Sequence, residues 1–191
     1  MIKGPKLIWK SSYDRGLQEM LEMWPMIKKE LPDATMKVYY GWNLFDKSFA
    51  NNPDRMAWKA HIIELLKQDG VSEHGRVSKQ VLDEATAEAD IWPYPTNWPE
   101  TNCINALDSQ KLGAVPVAMV HSGLLDTVFS GVKIPGMFSD GVDNKEVFVK
   151  ELVALWKDQD RYKKEKEKGI QGAKEFAWNK IATKWKTYFN E

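Results

Sequence analysis

The sequence predicts an α/β fold, with a Rossmann-like parallel sheet, helices on both faces and a helical C-terminal extension. Short apolar runs alternate with segments of helical periodicity over the first 120 residues. Repeated βα units of this length build parallel sheets, because each crossover helix returns the chain to the same edge of the sheet. From residue 144 onward the pattern is helical. With 191 residues, the chain is long enough to bury a sizeable core.

Strands are predicted where short β-prone runs are bounded by glycine, proline or polar turns. They cover residues 6–9, 36–40, 71–77, 89–94 and 114–120. Helices are predicted where apolar residues recur every three, four and seven positions. They cover residues 17–31, 53–68, a segment through 81–85, 100–111, 144–158 and 172–188. Residues 43–54 are predicted to form a loop. Residues 1–143 are expected to form the core of one domain, on which the helices of residues 144–191 pack.

The composition excludes several classes of protein. The 27 Lys and Arg residues balance the 27 Asp and Glu residues, so no net charge attracts nucleic acid. Lysines and glutamates alternate in the charged run of residues 161–168, which is typical of a solvated helix face. The single cysteine excludes an intramolecular disulfide and a multi-cysteine zinc site. With no apolar run of about 20 residues and no signal peptide, we expect a cytoplasmic protein without a transmembrane segment.

Two cations flank the first predicted strand-to-helix turn, at the sheet edge where open α/β sheets bind ligands. Lys10 and Arg15 are five residues apart, a spacing at which both side chains can grip a pyrophosphate. The alternative is that Ser11 or Asp14 caps the next helix and that both cations are solvated. The spacing alone leaves both interpretations open.

A second candidate site follows the fourth predicted strand. If Glu100 opens a helix, the backbone amides of the next four residues form an anion site at its N-terminus. These residues are Thr101, Asn102, Cys103 and Ile104. Asp108, eight residues after Glu100, would lie on a similar helix face. The alternative is a capping box between Asn97 and Glu100. Cys103 itself is expected to be a small buried thiol.

Other common sites are not favoured by the motifs present. A Gly-x-Gly-x-x-Gly run after the first strand and a P-loop are both lacking, so neither NAD binding nor ATP hydrolysis is favoured. His74 and His121 have no metal-ligand spacing to another histidine or cysteine. No metal site is predicted.

Taken together, these segments resemble the C-terminal, donor-binding domain of GT-B glycosyltransferases, in particular the large retaining, family 4-like group. Residues 11–17 resemble the first loop of that domain, and residues 36–41 its second strand and glycine turn. Residues 74–77 are similar to its Gly-x-Val segment. Residues 99–108, followed by residues 113–117, resemble its Glu-x7-Glu block and the next strand, with Asp108 in place of the second Glu. The resemblance extends over about residues 5–188.

The resemblance implies a role for each matching residue. Glu100 would be catalytic and would stabilise positive charge developing at the anomeric carbon. The donor diphosphate would be held by Lys10, Arg15, Gly16, Asn102, Cys103 and Ile104. The ribose and base would be held by Asp108, Arg76 and Val77. No metal and no cofactor are expected, because the departing diphosphate would be neutralised by the basic pair. The donor would be a UDP-sugar in preference to a GDP-sugar.

The resemblance also implies partners. A hexose or deoxyhexose would pass, with retention, to a glycan or a related acceptor. In GT-B enzymes a second, N-terminal domain binds the acceptor, so we expect that domain or a partner chain to supply this function. The helix carrying Trp178, Trp185 and Tyr188 would form a dimer contact, pack on the same domain or meet the other domain. The alternative function is a non-catalytic module of the same fold, binding a nucleotide sugar or a protein.

Overall fold

A six-stranded, wholly parallel sheet forms the centre of the protein. The computed structural model describes residues 3–141 and 144–190, and strand order across the sheet is β3-β2-β1-β4-β5-β6. The strands are β1 (Lys6–Trp9), β2 (Thr35–Tyr39), β3 (Val71–Gly75), β4 (Ile91–Tyr94), β5 (Val115–Val120) and β6 (Val132–Pro135). Every residue of the central strands β4 and β5 is buried, as expected for strands covered on both faces. The predicted fold class is confirmed.

Nine α-helices are found in the described ranges. They are α1 (Leu17–Glu30), α2 (Asn43–Phe49), α3 (Pro53–Leu65), α4 (Lys79–Ala87), α5 (Ile104–Lys111), α6 (Leu124–Thr127), α7 (Asn144–Lys157), α8 (Gln159–Ala173) and α9 (Trp178–Asn190). Helices α1, α3 and α7 pack together, as do α4, α5 and α8, which gives two helical layers. The apolar stripe of α1 is fully buried, with Met20, Leu21, Trp24 and Ile27 at its centre.

The sequence prediction missed α6 and began the last helix at residue 172 instead of Trp178, and three further elements differ from it. Residues 43–49, expected in a loop, form α2, whose aromatic side chains pack on Trp58 of α3. The short strand β6 was not predicted, because only Val132 and Ile134 are buried in it and glycines flank it. Helix α5 begins at Ile104, four residues later than expected, so Glu100 is not helical. The reason is that both the backbone and the side chain of Glu100 bind elsewhere.

The sheet has a topological switch point between β1 and β4. The chain moves outward from β1 to β2 and β3, and then returns to the other side of β1 for β4, β5 and β6. The crossovers on either side of β1 therefore diverge and leave a crevice at the carboxyl ends of β1 and β4. The loops that border this crevice are residues 10–16 and residues 95–103. These are the two segments that carry Lys10, Arg15 and Glu100.

The C-terminal helices differ in how they contact the rest of the chain. Helix α7 packs on α1 and buries Phe148 and Leu152, while α8 packs on α5. No side chain described in α9 is buried, and Trp178 remains 86% exposed. The expected division at residues 143 and 144 stays a prediction. Residues 142–143, like residues 1–2 and 191, lie outside the described residues.

Candidate functional site

The two predicted loops meet through an ion pair in the crevice. Arg15 Nη1 lies 2.9 Å from Glu100 Oε1, across 85 residues of sequence. The Glu100 side chain is only 9% exposed and that of Arg15 is 33% exposed, so the carboxylate is more deeply buried in the crevice than the guanidinium. The hydroxyl of Tyr94, at the end of β4, donates a 2.7 Å hydrogen bond to the same Glu100 oxygen. The Glu100 carboxylate is thus held in a fixed orientation.

This geometry explains why α5 starts late. The backbone oxygen of Glu100 accepts a hydrogen bond from Gly123 N, and its side chain is bound to Arg15 and Tyr94. The capping-box interpretation is wrong, because Asn97 Oδ1 accepts its bond from Ser139 N instead. Glu100 and Asp108 therefore do not share a helix face. Their relation is set by the loop between them.

The amides predicted to bind an anion divide into two groups. Cys103 is the N-cap of α5 and Ile104 its first residue, whereas Thr101 and Asn102 lie in the bend before the helix. Within the described ranges, no protein acceptor binds the backbone N–H of Asn102, Cys103 or Ile104. Cys103 is buried, as expected, and burial raises the pKa of its thiol to about 11. The thiol is therefore neutral at physiological pH.

Lys10 is a buried cation. Its side chain follows β1, is 5% exposed, and forms no ion pair or hydrogen bond with any residue that the structure describes. Burial is the main cause that lowers the pKa of Lys10 from 10.5 to about 8, and the charge of Asp108 opposes this shift. Asn105 of α5 donates to the backbone oxygen of Lys10 and fixes the strand end against the helix. The interpretation of Lys10 as a solvated surface cation is wrong.

The first loop has no side-chain cap. Gly16 is the N-cap of α1, and neither Ser11 nor Asp14 caps the helix. Gly16 adopts φ of +121° and lies so close to Pro95 that a Cβ would clash with the Pro95 carbonyl oxygen. A glycine is therefore required where the two loops of the crevice touch. The expected contact of Gly16 with the donor diphosphate stays a prediction.

The predicted ribose and base residues lie beside the crevice. Asp108, on α5, forms a 3.2 Å ion pair with Lys79, the first residue of α4. Arg76 and Val77 follow β3 and lead directly into α4. The Arg76 guanidinium lies 5.9 Å from the ring centre of Tyr40, and its backbone approaches Gly41. The Lys79–Asp108 pair thus connects the β3–α4 segment to α5.

Sequence reasoning assigned no role in this site to Tyr94 or Lys79. The tryptophan-rich loop of residues 92–98 was equally consistent with stacking on a sugar or acceptor ring and with packing in the core or a lid, so Trp98 was not assigned to the site either. Trp98 lies over Arg15, with 4.8 Å between the guanidinium carbon and the ring centre. Tyr94, Lys79 and Trp98 come close to the predicted residues only through long-range packing. The one signal in the sequence was that each lies at the end of a strand or within four residues of it.

Across residues 3–141 and 144–190, no group of three or more histidine, cysteine or acidic side chains is placed to hold a metal ion. In the same ranges no helix combines the length and apolar character needed to cross a bilayer.

The fold is similar to that of solved glycosyltransferase structures. The GtfA/B complex superposes with a TM-score of 0.78 at 16% identity, over 98% of this chain and 36% of that chain. The pneumococcal O-GlcNAc transferase GtfA, in complex with UDP and GlcNAc, gives 0.75 at 18% identity, over 97% and 35%. Sucrose-phosphate synthase from Thermosynechococcus elongatus gives 0.75 at 16% identity, over 98% and 45%. The chain thus spans less than half the length of each of these proteins.

Two comparisons of the sequence gave different results. No curated protein matches the chain significantly. The family model described as glycosyl transferases group 1 matches residues 10–174. This match begins at Lys10, includes Arg15, Glu100 and Asp108, and covers most of the chain. The protein therefore belongs to the glycosyl transferases group 1 family.

Proposed function

We propose that this chain is the donor-binding part of a retaining, family 4-like glycosyltransferase and that its crevice binds a nucleoside-diphosphate sugar. The observation that carries the proposal is Lys10, a buried cation with no anionic partner among the described residues. Burying an unpaired charge is costly, and a diphosphate is the kind of ligand that offsets this cost. Arg15 lies on the same loop and offers a second cation with a planar fork.

The roles of the remaining residues follow from their positions. The free amides of Asn102, Cys103 and Ile104 supply donors to the phosphate oxygens at the start of α5. Asp108 binds the ribose hydroxyls once Lys79 releases it; the Lys79 side chain is 65% exposed and keeps a second ion pair, with Asp83, when it does so. Arg76 and Val77 border the base. UDP is the proposed nucleotide and GDP the runner-up, and the donor carries a hexose or deoxyhexose.

The reaction breaks the bond between the anomeric carbon and the β-phosphate oxygen and forms a bond to an acceptor hydroxyl oxygen. The acceptor proton passes to the departing phosphate. Glu100 stabilises the positive charge that develops at the anomeric carbon, because its carboxylate is oriented by Tyr94 and Arg15 before substrate arrives. Lys10 and Arg15 stabilise the negative charge on the leaving diphosphate. We propose that these cations replace a metal ion, so EDTA should leave the activity unchanged.

The acceptor, a glycan or related molecule, is proposed to bind with the help of a further domain or a partner chain. The aromatic face of α9, with Trp178, Trp185 and Tyr188 exposed, is proposed to take part in that contact or in a dimer. The proposed location is the cytoplasm. Light scattering of a concentrated solution tests the dimer: a molecular mass that stays at 22.0 kDa excludes it.

Calorimetric titration with UDP, GDP, ADP and CMP tests the donor site. We expect one nucleoside diphosphate to bind, and Arg15→Ala to weaken this binding at least tenfold. Arg161→Ala, which removes the same charge from α8 outside the crevice, is the matched control and should bind normally. If none of the four nucleotides binds to the wild-type chain, the proposal is wrong.

The alternative is a non-catalytic module of the same fold, favoured by the pairing of Asp108 with Lys79. Glu100→Gln separates the two functions. In a transferase this variant keeps its nucleotide affinity and loses sugar transfer, because only the charge that stabilises the transition state is removed. Transfer that survives in Glu100→Gln would show that Glu100 is not catalytic, whereas a wild-type protein that binds the nucleotide sugar without transferring it would support the alternative.

A further inference from the structure

Trp98 is a large exposed side chain on a rigid loop. The residue is 46% exposed, although the loop around it is well anchored. Trp98 N donates to Thr96 Oγ1 at 2.9 Å, and Phe138 N donates to the Thr96 backbone oxygen. The Asn97 side chain accepts from Ser139 N at 2.7 Å. The indole is therefore presented to solvent by a preorganised loop.

The position of the indole relates it to the chemistry of the crevice. Its ring lies over the guanidinium of Arg15, 4.8 Å from ring centre to guanidinium carbon, and Arg15 in turn binds Glu100. Trp98 thus lies directly outside the cation proposed to hold the diphosphate.

Retention dictates where the acceptor must approach. Whether it occurs by one front-face displacement or by two successive inversions, the acceptor oxygen attacks the face of the anomeric carbon from which phosphate departs. An acceptor in that position lies beside the diphosphate, and therefore beside Arg15. Trp98 is an exposed aromatic group in contact with Arg15. Aromatic faces suit the C–H faces of pyranose rings, since both are apolar and flat.

We propose that Trp98 is an acceptor-binding residue, and that the acceptor places a pyranose ring on the exposed indole surface above Arg15. The proposal rests on the proposed function, since it assumes a donor diphosphate at Arg15 and a retaining reaction. It assigns to this chain a part of acceptor recognition and names the acceptor class as a saccharide with an accessible C–H face. A further domain or partner chain then supplies the remainder of the acceptor site.

Saturation-transfer NMR on the 191-residue chain tests the proposal. The probes are the methyl glycosides of glucose, galactose, mannose and N-acetylglucosamine, each added to protein saturated with the nucleotide that binds in the calorimetric titration. We expect ring-proton signals from at least one glycoside. Trp98→Ala should weaken its binding about five- to tenfold, while Trp98→Phe stays within about threefold of wild type. Phe176→Ala removes an aromatic side chain that is 40% exposed, packs on Phe129 and lies outside the two loops of the crevice, and it should have no effect.

Two further measurements identify the subsite. In a second titration the nucleotide sugar replaces the free nucleotide, so that the donor-sugar subsite is filled. The glycoside signal should persist, because the glycoside is expected on Trp98 and not in that subsite. A glycoside displaced by the donor sugar had bound in the donor subsite, which overturns the proposal. The nucleotide affinity of Trp98→Ala should remain within about threefold of wild type. A parallel loss of nucleotide and glycoside binding would mean that Trp98 acts only through Arg15, which also overturns it.

The two proposals fail in different ways. A wild-type chain that binds no nucleotide contradicts the proposed function itself. A chain that binds nucleotide but none of the glycosides, or that binds glycoside equally well after Trp98→Ala, contradicts only the role of Trp98.

Discussion

Replacing Lys10 with methionine is expected to make the protein more stable and the site less able to bind its ligand. Methionine has a similar length and packs well in apolar surroundings, but it carries no charge. In the wild-type chain Lys10 is 5% exposed, and its ammonium group forms no ion pair or hydrogen bond with the described residues. A stabilising substitution that removes binding is the signature of a residue kept for its ligand.

The size of the effect follows from the pKa of Lys10. A fall from 10.5 to about 8 means that the folded protein disfavours the charged form, mainly through burial. Each tenfold change in acidity corresponds to about 1.4 kcal/mol, so the charge costs the fold about 3 kcal/mol at pH 7. Lys10→Met is expected to recover a large part of this and to raise the free energy of unfolding by about 2–3 kcal/mol.

The gain should depend on pH in a defined direction. Between about pH 8 and 10.5 the folded chain has released a proton that the unfolded chain still holds at Lys10. The unfolded state binds more protons in that window, so wild-type stability rises with pH relative to the variant. The advantage of Lys10→Met is therefore full below pH 8 and disappears as the pH approaches 10.5.

Urea unfolding at pH 7, 8.5 and 10 measures the stability, and calorimetry with UDP measures the binding. Lys150→Met, an exposed position on α7, is the matched control. Wild-type binding at pH 8.5 should also take up protons, because the phosphates restore the charge of Lys10, and the variant should take up none. A Lys10→Met protein that is less stable than wild type at pH 7, or that binds UDP equally well, would refute this reasoning.

Three further outcomes are expected. Gly16→Ala should lower the free energy of unfolding by at least about 2 kcal/mol, because φ is +121° and the added Cβ would clash with the Pro95 carbonyl. Gly75→Ala, with open space around the added Cβ, should lower it less. Equal losses for the two variants would contradict the role of the loop contact. Asp108→Asn should reduce the preference for UDP over 2′-deoxy-UDP to nearly onefold in a calorimetric comparison; an unchanged preference would remove Asp108 from the ribose site. Cys103, whose thiol pKa is raised to about 11, should react with a disulfide reagent at pH 8 at least about a hundredfold more slowly in the folded than in the urea-unfolded chain; similar rates would contradict its burial.

Much of the fold is encoded in local patterns and could be predicted from them. Strands β1, β2, β4 and β5 and helices α1 and α7 lie close to the predicted segments. Each has a buried face whose period is visible within a few residues, so the pattern needs no knowledge of the partner surface. Helix α2 and strand β6 escaped prediction because they are short, and their burial comes from neighbours that are distant in sequence.

The candidate site was predictable as a set of residues but not as an arrangement. Two motifs, Lys10 to Arg15 and Glu100 to Asp108, were enough to indicate the family. Each motif lies within ten residues and can therefore be recognised without knowledge of the fold. The local sequence could not decide whether the Glu100 side chain forms a capping box with Asn97 or an ion pair with a distant cation. Both partners suit a carboxylate. The choice was made by Arg15, which is 85 residues away and reaches Glu100 only when β1 and β4 are neighbours.

By itself, the sequence determined the α/β class, the positions of most strands and helices, and the membership of the glycosyl transferases group 1 family. Only the tertiary structure decided that Lys10 is buried, that Tyr94 orients Glu100, that Lys79 pairs with Asp108 and that Trp98 covers Arg15. The physical reason is that periodicity and turn chemistry act between neighbours along the chain. Charge burial, ion pairing and stacking depend on which strands lie side by side, and the sheet order settles this after the local elements have formed.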